Sequence, residues 1–559
     1  MWAVLWLGVV LVAAFQHPPI DRASVRALGA AWDMWNNAQF LVPLHNGRPD
    51  PDAMPLLYWL VHAGWALTGV NDWWPRLLQV GFGATWLGFG AALAKRWAPD
   101  PSDDGAPWLL VAGALPAFAA LQIGADLLAA ACVVAAWYAL SGRPAWLGFA
   151  LALTAGVLAA GPVVLGFVAP PLLLGPWWSA AAREDRRRWY RRARLSVLAA
   201  IVAFLTWAGA AGAAGGAAYR VRLTSVEPLR SMQALADAIH RPEALALLAA
   251  LLLPWALWPR LWRAVWPWRG PWGDAGRFAL AAVPTGLLLA LWVPRATLAG
   301  VLAVGPVAAA VLAGALRDRE PAASPPSRFW GPWPFACLLL TAAALVGWGA
   351  PLLAVRPDAP PWLHLLASWS AGIAVLLAIL AGLLLTAPHA VGAQLRATAA
   401  VSLLVLALGH GALTRLFAAA FDPEPATAPI ARAAAAGRPI ARVGRYEGEL
   451  HFYARLTEPV TEIAETDVLA WARAHPSGLI VQYPERADAG ALRAGALVVA
   501  PFGRCWVVVW PAAAFLAAPT PLSAGIPDAA GLLQHACRCS GRLGGGLFAW
   551  RELPGERGA

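Results

Sequence analysis

Four aspartates stand where a carboxylate could take part in chemistry. Asp21 follows "QHPPI" after an apolar amino-terminal segment, Asp50 and Asp52 lie in "RPDPD", and Asp126 lies in "QIGADLL". A carboxylate held in a shielded cleft near a membrane surface can act as a general base or as a metal ligand. The four residues are therefore the first candidates for a catalytic or metal-binding site.

Each candidate also has a purely structural interpretation. Asp21 and Asp126 each precede an apolar or helical stretch, where an aspartate commonly caps the amino terminus of a helix. "RPDPD" is typical of a turn, because Pro and Asp are common turn residues. His240 and Arg241 lie together in a later polar segment, and the histidine fits an exposed surface position as well as a binding site. Single residues leave both interpretations open, so their order and setting must decide.

The composition establishes the class of protein that must position these residues. Hydrophobic residues make up 60% of the 559 and charged residues only 13%, whereas a soluble chain carries about 25% charged residues. The apolar residues come in long blocks without the alternation of a half-exposed helix or strand. The sequence therefore predicts an α-helical polytopic membrane protein.

The net charge of +11 does not indicate nucleic-acid binding. The densest basic run, "REDRRRWYRRAR" from Arg183 to Arg194, contains seven arginines between two apolar blocks. Such a run is typical of a cytoplasmic loop that contacts anionic lipid head groups. No aromatic-basic groove or known nucleic-acid module accompanies it, so we expect membrane lipids and no nucleic acid as partners.

The apolar blocks predict about thirteen transmembrane helices, with the amino terminus inside and the carboxy-terminal tail outside. The predicted spans are residues 1–15, 77–93, 108–122, 127–140, 145–159, 162–178, 195–211, 244–258, 278–293, 298–316, 335–355, 364–386 and 399–418. Residues 16–55 are predicted to form a first outer loop, and residues 56–70 an interfacial or re-entrant helix too short to span. Lys95 and Arg96 support this order, because they fall inside only if residues 56–70 do not cross.

The composition changes near Phe421, which divides the chain into a transmembrane domain (1–420) and a soluble extracytoplasmic α/β domain (421–559). In the second part "RPIARVGRY", "GLIVQYP", "ALVVAPF" and "CWVVVWP" predict strands, and "TDVLAWARAHP" predicts a helix. Cys505, Cys537 and Cys539 lie there. If this domain is outside the cytosol, one disulfide among them is expected, whereas "CRC" alone does not indicate a zinc site.

The stretch "FLVPLHNGRPDPDAMPLLYWLVHAGWALTGVNDWWPRLL" follows the first acidic residue after span one. It resembles the first-loop motif of GT-C membrane glycosyltransferases, in the branch of the lipid A aminoarabinose transferases and protein O-mannosyltransferases. The matching positions are Pro43, Asn46, Gly47, Pro49, Pro55, Leu56, Tyr58, Trp59, Leu60, Gly69, Asn71, Arg76 and Leu77. Weaker similarities are Asp126 in the second outer loop, Gly161-Pro162, "LLLPWALW" and "RVGRYEGELHFYARL".

The resemblance implies a GT-C glycosyltransferase with a polyprenyl-phosphate-linked sugar donor and a lipid, glycan or protein acceptor. It implies that Asp21 and Asp126 are the catalytic residues, and that Asp52 contacts the substrate or a divalent metal ion. The leaving phosphate needs cationic partners. The candidates for substrate binding are Asp52, Arg22, Arg48, Tyr58, His240 and Arg241.

Five positions depart from the family's pattern. Arg22 replaces the usual acidic residue after the first aspartate, Ala53 and Met54 replace a lysine and a proline, and Ala160 replaces a second lysine. Pro228 stands where a later outer segment often has a histidine. The loss of two lysines removes phosphate-binding charge, which arginines elsewhere could restore. The alternative is a catalytically degenerate relative that binds a lipid-linked glycan or a protein partner.

We therefore expect a monomeric, multi-pass glycosyltransferase of the inner membrane that acts at the outer or periplasmic face, in the class that modifies lipid A or other cell-envelope glycans. A transporter would instead place ionisable groups near the membrane midplane and would contain inverted repeats. The carboxylates cluster at one predicted face, and the sequence contains no evident internal repeat.

Overall fold

The structure is a computed structural model of the 559-residue chain. It describes residues 1–98, 104–224, 242–265, 273–293, 297–318, 330–356, 361–484, 495–502 and 505–517. Cys537 and Cys539 lie outside the described residues, whereas Cys505 lies within them and is disulfide-bonded.

Helices make up most of the described chain. The first of them, in chain order, are α1 (Trp2–Ala14), α2 (Arg22–Asn36), α3 (Pro55–Thr68), α4 (Trp73–Trp97), α5 (Gly105–Ala112), α6 (Ala114–Ala119), α7 (Ala125–Leu140), α8 (Trp146–Ala160), α9 (Val163–Leu173), α10 (Gly175–Trp178), α11 (Ala180–Glu184), α12 (Arg186–Ala214) and α13 (Gly216–Thr224). They are followed by α14 (Pro242–Leu252), α15 (Pro259–Val265), α16 (Asp274–Trp292), α17 (Thr297–Asp318), α18 (Trp333–Ala344), α19 (Ala350–Ala354), α20 (Pro361–Leu385), α21 (Val391–Leu416), α22 (Ala418–Phe421), α23 (Glu424–Ala435), α24 (Val468–Ala474) and α25 (Ala512–Ala517).

Seven helical segments of the described chain are long and apolar enough to cross a membrane. They are α4, α12, α16, α17, α18 continued through a π-helical turn into α19, α20 and α21. Four further helices, α1, α7, α8 and α9, are apolar but shorter. The chain is thus a multi-pass helical membrane protein, as predicted, while the count of about thirteen spans is not confirmed.

Two of the predicted spans are interrupted. The span predicted at residues 108–122 covers α5 and α6, which are separated at Gly113, where the backbone is extended. The span predicted at residues 244–258 covers α14 and the 3-10 turn Trp255–Leu257, with Pro254 between them. Glycine interrupts a helix because it has a low helix propensity, and proline does so because it lacks the N–H donor of a helical hydrogen bond.

The sequence predicted a loop at the arginine run. In the structure the run instead forms the beginning of a helix. Asp185 caps α12, since its side chain accepts a hydrogen bond from Arg188 N at 2.8 Å. The 29 residues of α12 extend over about 43 Å. Near its far end, Trp207 Nε1 donates to Leu41 O in the first loop at 3.0 Å. The arginines and the first loop therefore lie at opposite ends of the helix.

The predicted first loop is also more ordered than expected. It contains the amphipathic helix α2 and a small antiparallel hairpin of β1 (Leu44–His45) and β2 (Arg48–Pro49). The hairpin turns at Asn46 and Gly47, which both have positive φ angles. A helix follows at α3, begun by Pro55 at its first position and ended at Gly69, close to the predicted range of 56–70.

The carboxy-terminal domain contains a five-stranded mixed sheet with strand order β4-β3-β5-β7-β6. Its strands are β3 (Ile440–Val443), β4 (Thr461–Ile463), β5 (Leu479–Gln482), β6 (Val498–Phe502) and β7 (Cys505–Pro511). The four predicted strands and the helix α24 are confirmed. Strand β4 was not predicted, because its three residues are too few to show an alternating pattern.

Asn46 joins the hairpin to the carboxy-terminal domain by a two-way hydrogen bond. Its Nδ2 donates to Val460 O at 2.9 Å, and its Oδ1 accepts from Val460 N at 2.7 Å. An asparagine side chain matches a backbone amide in this way, and it tolerates the φ of 53° found here better than most residues do. One side chain thus anchors the first loop to the carboxy-terminal domain.

Asn46→Ala is expected to lower the free energy of unfolding by about 2 kcal/mol, because it leaves two backbone groups of Val460 without their partner. The measurement is the thermal unfolding midpoint of the purified protein in detergent. Asn37→Ala is the matched control, since Asn37 makes a single bond to Asp33 O at a helix end. Equal destabilisation by both variants would contradict the anchoring role.

Candidate functional site

Asp21 lies directly at the amino terminus of α2. Its Oδ1 accepts a hydrogen bond from Ser24 N at 3.0 Å, so the predicted cap is present. Burial raises the pKa of Asp21 above its ordinary value of 3.8, against the opposing effect of the bonds to Ser24. A carboxylate with a raised pKa is a stronger base than an exposed one. The capping role and a catalytic role are therefore compatible.

Ser24 connects the first loop to the second. Its Oγ accepts a buried hydrogen bond from Ile123 N at 2.8 Å. Ile123 lies three residues before Asp126, in the turn that leads into α7. The same turn is held from the other side, where Gln79 Nε2 donates to Gly124 O at 2.8 Å. The structure thus brings the segments of Asp21 and Asp126 together through one side chain.

Asp126 lies in the first turn of α7, whose cap position is occupied by Gly124. The simple capping interpretation therefore does not apply to Asp126. The Asp126 carboxylate lies near the backbone of Ala299, on the first turn of α17. The residue is partly buried and follows the turn that Ser24 holds.

Asp50 and Asp52 have different surroundings. Asp50 is buried and pairs with Arg26 of α2, with 2.7 Å between Oδ2 and Nη2. Its other oxygen accepts from Asp52 N at 3.0 Å, which forms the turn that the sequence allowed. Asp52 is exposed beyond that turn. Asp50 therefore attaches the end of the first loop to α2. Its partner, Arg26, was not among the predicted residues.

The other predicted substrate-binding residues are distributed around this loop. Arg22 pairs with Glu447 of the carboxy-terminal domain at 2.7 Å. Arg48 is exposed on the hairpin. Tyr58 is buried on α3, within electrostatic range of Asp50. His240, Arg241 and the departure at Pro228 lie outside the described residues.

The described residues do not fit the metal site predicted at Asp52. They contain no group of three or more His, Cys, Asp or Glu side chains that could hold a metal ion. The neighbouring carboxylate of Asp50 is already engaged by Arg26 and by a backbone amide. No chemical step is therefore derived through a metal.

One departure from the family's pattern, Met54, lies beside Gly161. A β-carbon placed on Gly161 would lie 3.5 Å from the Met54 methyl group. Ala160 precedes this glycine and Ala53 precedes the methionine. The two positions where the family keeps lysine are thus each one residue from this contact in the sequence, and both are neutral.

Sequence reasoning missed the contribution of the carboxy-terminal domain. Tyr453 donates from its hydroxyl to Pro19 O at 3.1 Å, two residues before Asp21. His451 Nε2 lies 3.1 Å from Asp33 Oδ1 on α2, and both side chains are buried. The stretch "RVGRYEGELHFYARL" is similar to the family's pattern. Its polar residues, however, have no periodicity that would indicate a contact with the first loop, which is distant in the sequence.

A comparison with models of protein families gives no match, and neither does one with curated protein sequences. Among solved structures, the chain is similar to ArnT from Cupriavidus metallidurans bound to undecaprenyl phosphate. The alignment covers 91% of this chain and 98% of ArnT, at 20% identity and a TM-score of 0.62. The apo state of the same protein aligns over 93% and 99%, at 18% identity and a TM-score of 0.62. The chain has the GT-C fold of ArnT.

The GT-C fold confirms the resemblance that the first-loop stretch carried. The alignment runs over nearly the whole of both chains. The fold does not by itself assign roles to Asp21, Asp126 or Asp52, which remain predictions.

Asp21→Asn is expected to be at least as stable as the unmodified chain at pH 7. Because the folded-state pKa of Asp21 is raised, this residue's contribution to stability is complete below its unfolded pKa and is lost as the pH rises through its folded pKa. Asparagine keeps an acceptor for Ser24 N and carries no charge. Thermal unfolding at pH 7 measures the effect.

Asp21→Ala is the comparison, and it is expected to be about 1 kcal/mol less stable because the cap is lost. If Asp21→Asn and Asp21→Ala destabilise the protein equally, the hydrogen bond to Ser24 N does not account for the contribution of Asp21 to stability.

Proposed function

We propose that this chain is a membrane glycosyltransferase that moves a sugar from a polyprenyl-phosphate-linked donor to a lipid, glycan or protein acceptor. The proposal is supported by a GT-C fold shared with ArnT over more than nine-tenths of both chains. ArnT has been crystallised with undecaprenyl phosphate, and a lipid phosphate of that kind is the proposed carrier. The first-loop resemblance to the lipid A aminoarabinose transferases gives the same class.

The observation that carries this function is the Asp21–Ser24–Ile123 connection. Two hydrogen bonds, at 3.0 and 2.8 Å, hold the segments of two carboxylates together at one end of the helices. A glycosyl transfer needs a base for the acceptor and a shielded site at the carbon that is attacked. Asp21 is proposed as the base and Asp126 as the supporting carboxylate.

The proposed reaction is a single displacement. The acceptor hydroxyl or amine gives its proton to the Asp21 carboxylate while its heteroatom forms a bond to the anomeric carbon. The bond between that carbon and the phosphate oxygen breaks on the opposite face, and its electron pair leaves with the polyprenyl phosphate. The raised pKa of Asp21 favours proton acceptance, and helix α2 fixes the direction of the carboxylate.

The leaving phosphate requires positive charge. Arg48 is exposed on the hairpin, whereas Arg22 is already paired with Glu447. Arg48 is therefore the better candidate among the described predicted arginines. Tyr58 and the exposed Asp52 lie at the start of α3 and before it, where they could contact the sugar or its phosphate.

The site is proposed to face the outer side of the inner membrane. The arginines at the beginning of α12 lie at the opposite end of that helix from the first loop, and arginine-rich ends mark the cytoplasmic side. The first loop and the carboxy-terminal domain bonded to it are then extracytoplasmic. The proposed partners are the lipid-linked donor, the acceptor and membrane lipids, and the proposed state is a monomer.

The second candidate is a degenerate relative that binds a lipid-linked glycan or a protein without transferring sugar. It is favoured by Ala53 and Ala160, which are neutral where the family keeps lysine, and which each precede one of the neighbouring residues Met54 and Gly161. Such a protein would retain lipid-phosphate binding and would not depend on Asp21.

Asp21→Asn and Asp126→Asn are each expected to lower sugar transfer by at least about a hundredfold, because the base or its support is lost. Membranes containing each variant are analysed by mass spectrometry for the sugar-modified lipid or glycan. Asp185→Asn is the matched control, because Asp185 caps α12 by the same type of bond at the other end. Unchanged product from both site variants would exclude Asp21 and Asp126 as catalytic residues, whereas absence of product from the unmodified chain would favour the degenerate relative.

Arg48→Gln is expected to weaken binding of undecaprenyl phosphate by roughly three- to tenfold, because an exposed cation is removed from the lipid phosphate. Binding to the purified protein is measured by native mass spectrometry. Asp21→Asn should bind as the unmodified chain does, since it removes no positive charge. Equal binding by the Arg48 variant would exclude this residue from the phosphate site.

A further inference from the structure

The carboxy-terminal domain contacts the first loop through an irregular segment, residues 445–460, which we call the clasp. Residues 446–452 of the clasp are all buried although they form neither helix nor strand. Irregular segments normally lie on the surface, where water satisfies their backbone groups. Part of the clasp is satisfied from within, as in the bond between the Tyr446 hydroxyl and His451 Nδ1 at 2.8 Å, and part of it by side chains of the first loop.

Helix α2 approaches the clasp at close range. A β-carbon on Gly29 would lie 3.1 Å from Gly448 O, and Gly448 itself has a φ of +90°. Trp32 Nε1 donates to Leu456 O at 2.7 Å on the same side of the helix. At this distance the backbones of α2 and of the clasp contact each other directly, so a displacement of one moves the other.

Glu447 binds the first two turns of α2. Its buried carboxylate lies 2.7 Å from Arg22 Nη2 and 3.7 Å from Arg26 Nη1, and Arg445 approaches it at 3.3 Å. A buried carboxylate is costly unless it is paired, so these arginines are held in place by their partner. Arg22 is the residue that follows Asp21 in the sequence.

Tyr453 holds the chain on the other side of Asp21. Its hydroxyl donates to Pro19 O at 3.1 Å. A proline carbonyl immediately before a helix has no intrahelical partner, so the bond fixes the direction in which the chain enters α2. At the far end of α2, the buried pair of Asp33 and His451 prevents rotation about the first contact.

We propose that Glu447 and Tyr453 are positioning residues for Asp21, so that the clasp is a structural part of the catalytic site. The inference rests on the proposed function of Asp21 as the base. Glu447 binds the side chain of Arg22, which follows Asp21, and Tyr453 binds the carbonyl of Pro19, two residues before it. Neither residue touches the reacting atoms. Misplacement of a base by about 1 Å costs up to about a hundredfold in rate, which gives these distant contacts their importance.

Tyr453→Phe removes a single hydroxyl and keeps the packing of the ring. With this change kcat is expected to fall about tenfold while KM for the lipid-linked donor changes less than twofold. Glu447→Gln is expected to act in the same direction. The matched control is Tyr190→Phe, because Tyr190 makes the same type of bond to Leu173 O at 2.7 Å near the arginine-rich end of α12.

The pH profile separates positioning from a general loss of structure. Once the loop loosens, water reaches Asp21 and its pKa moves down, so the acidic limb of the rate profile should shift to lower pH in Tyr453→Phe. His17 and Tyr453 lie within electrostatic range of Asp21, and the Arg76–Asp72 pair lies next to Tyr453. The proposal would be overturned if the rate fell while the acidic limb of the pH profile stayed in place and KM rose in parallel.

Hydrogen–deuterium exchange of the full-length protein provides a test that does not need transfer activity. In Tyr453→Phe, the amides of residues 17–28 should exchange faster, and those of α12 should not change. If the unmodified chain transfers no sugar, the proposed function fails, but faster exchange confined to residues 17–28 still supports the positioning contacts. Unchanged exchange there, or faster exchange throughout the chain, would refute them.

Discussion

The hydrogen bond from Ser24 N to the Asp21 carboxylate is the interaction on which the arrangement of the site depends. It begins α2, and it places Asp21 where burial raises the pKa of its side chain. The same serine accepts from Ile123 N and thereby fixes the second loop. A cap, the proposed base and a contact between two loops are thus combined in four consecutive residues, and the structural interpretation of Asp21 is compatible with the functional one.

Burial of charge is the price of this arrangement, and the structure offsets it by pairing the charges. Asp50 pairs with Arg26 inside the first loop, whereas Glu447 with Arg22 and Asp33 with His451 are pairs that cross between domains. Isolated buried charges would destabilise the fold, whereas paired and hydrogen-bonded ones mainly add geometric specificity. The carboxy-terminal domain is therefore not an appendage of the membrane helices, because half of each cross-domain pair lies in it.

Particular elements show how far the sequence could be interpreted. The long apolar blocks identified the membrane helices, and short runs rich in Val and Ile identified β3, β5, β6 and β7, because such runs favour buried strands. Helix α2 was missed inside a polar loop, because its buried apolar residues are short and interspersed with charged ones, unlike a lipid-facing block. The arginine run was assigned to a loop, although arginine has a good helix propensity and Asp185 supplies a cap.

The sequence by itself determined the membrane class, the fold family and the candidate aspartates, since composition, block length and a local motif are all properties of neighbouring residues. Only the tertiary structure decided that "HNGRPDPDAMPLLYWL" divides its acidic residues between a buried ion pair at Asp50 and an exposed turn at Asp52. It also decided that residues more than 400 positions away complete the first loop. Such pairs are formed by the folding of the whole chain, and no local spacing encodes them.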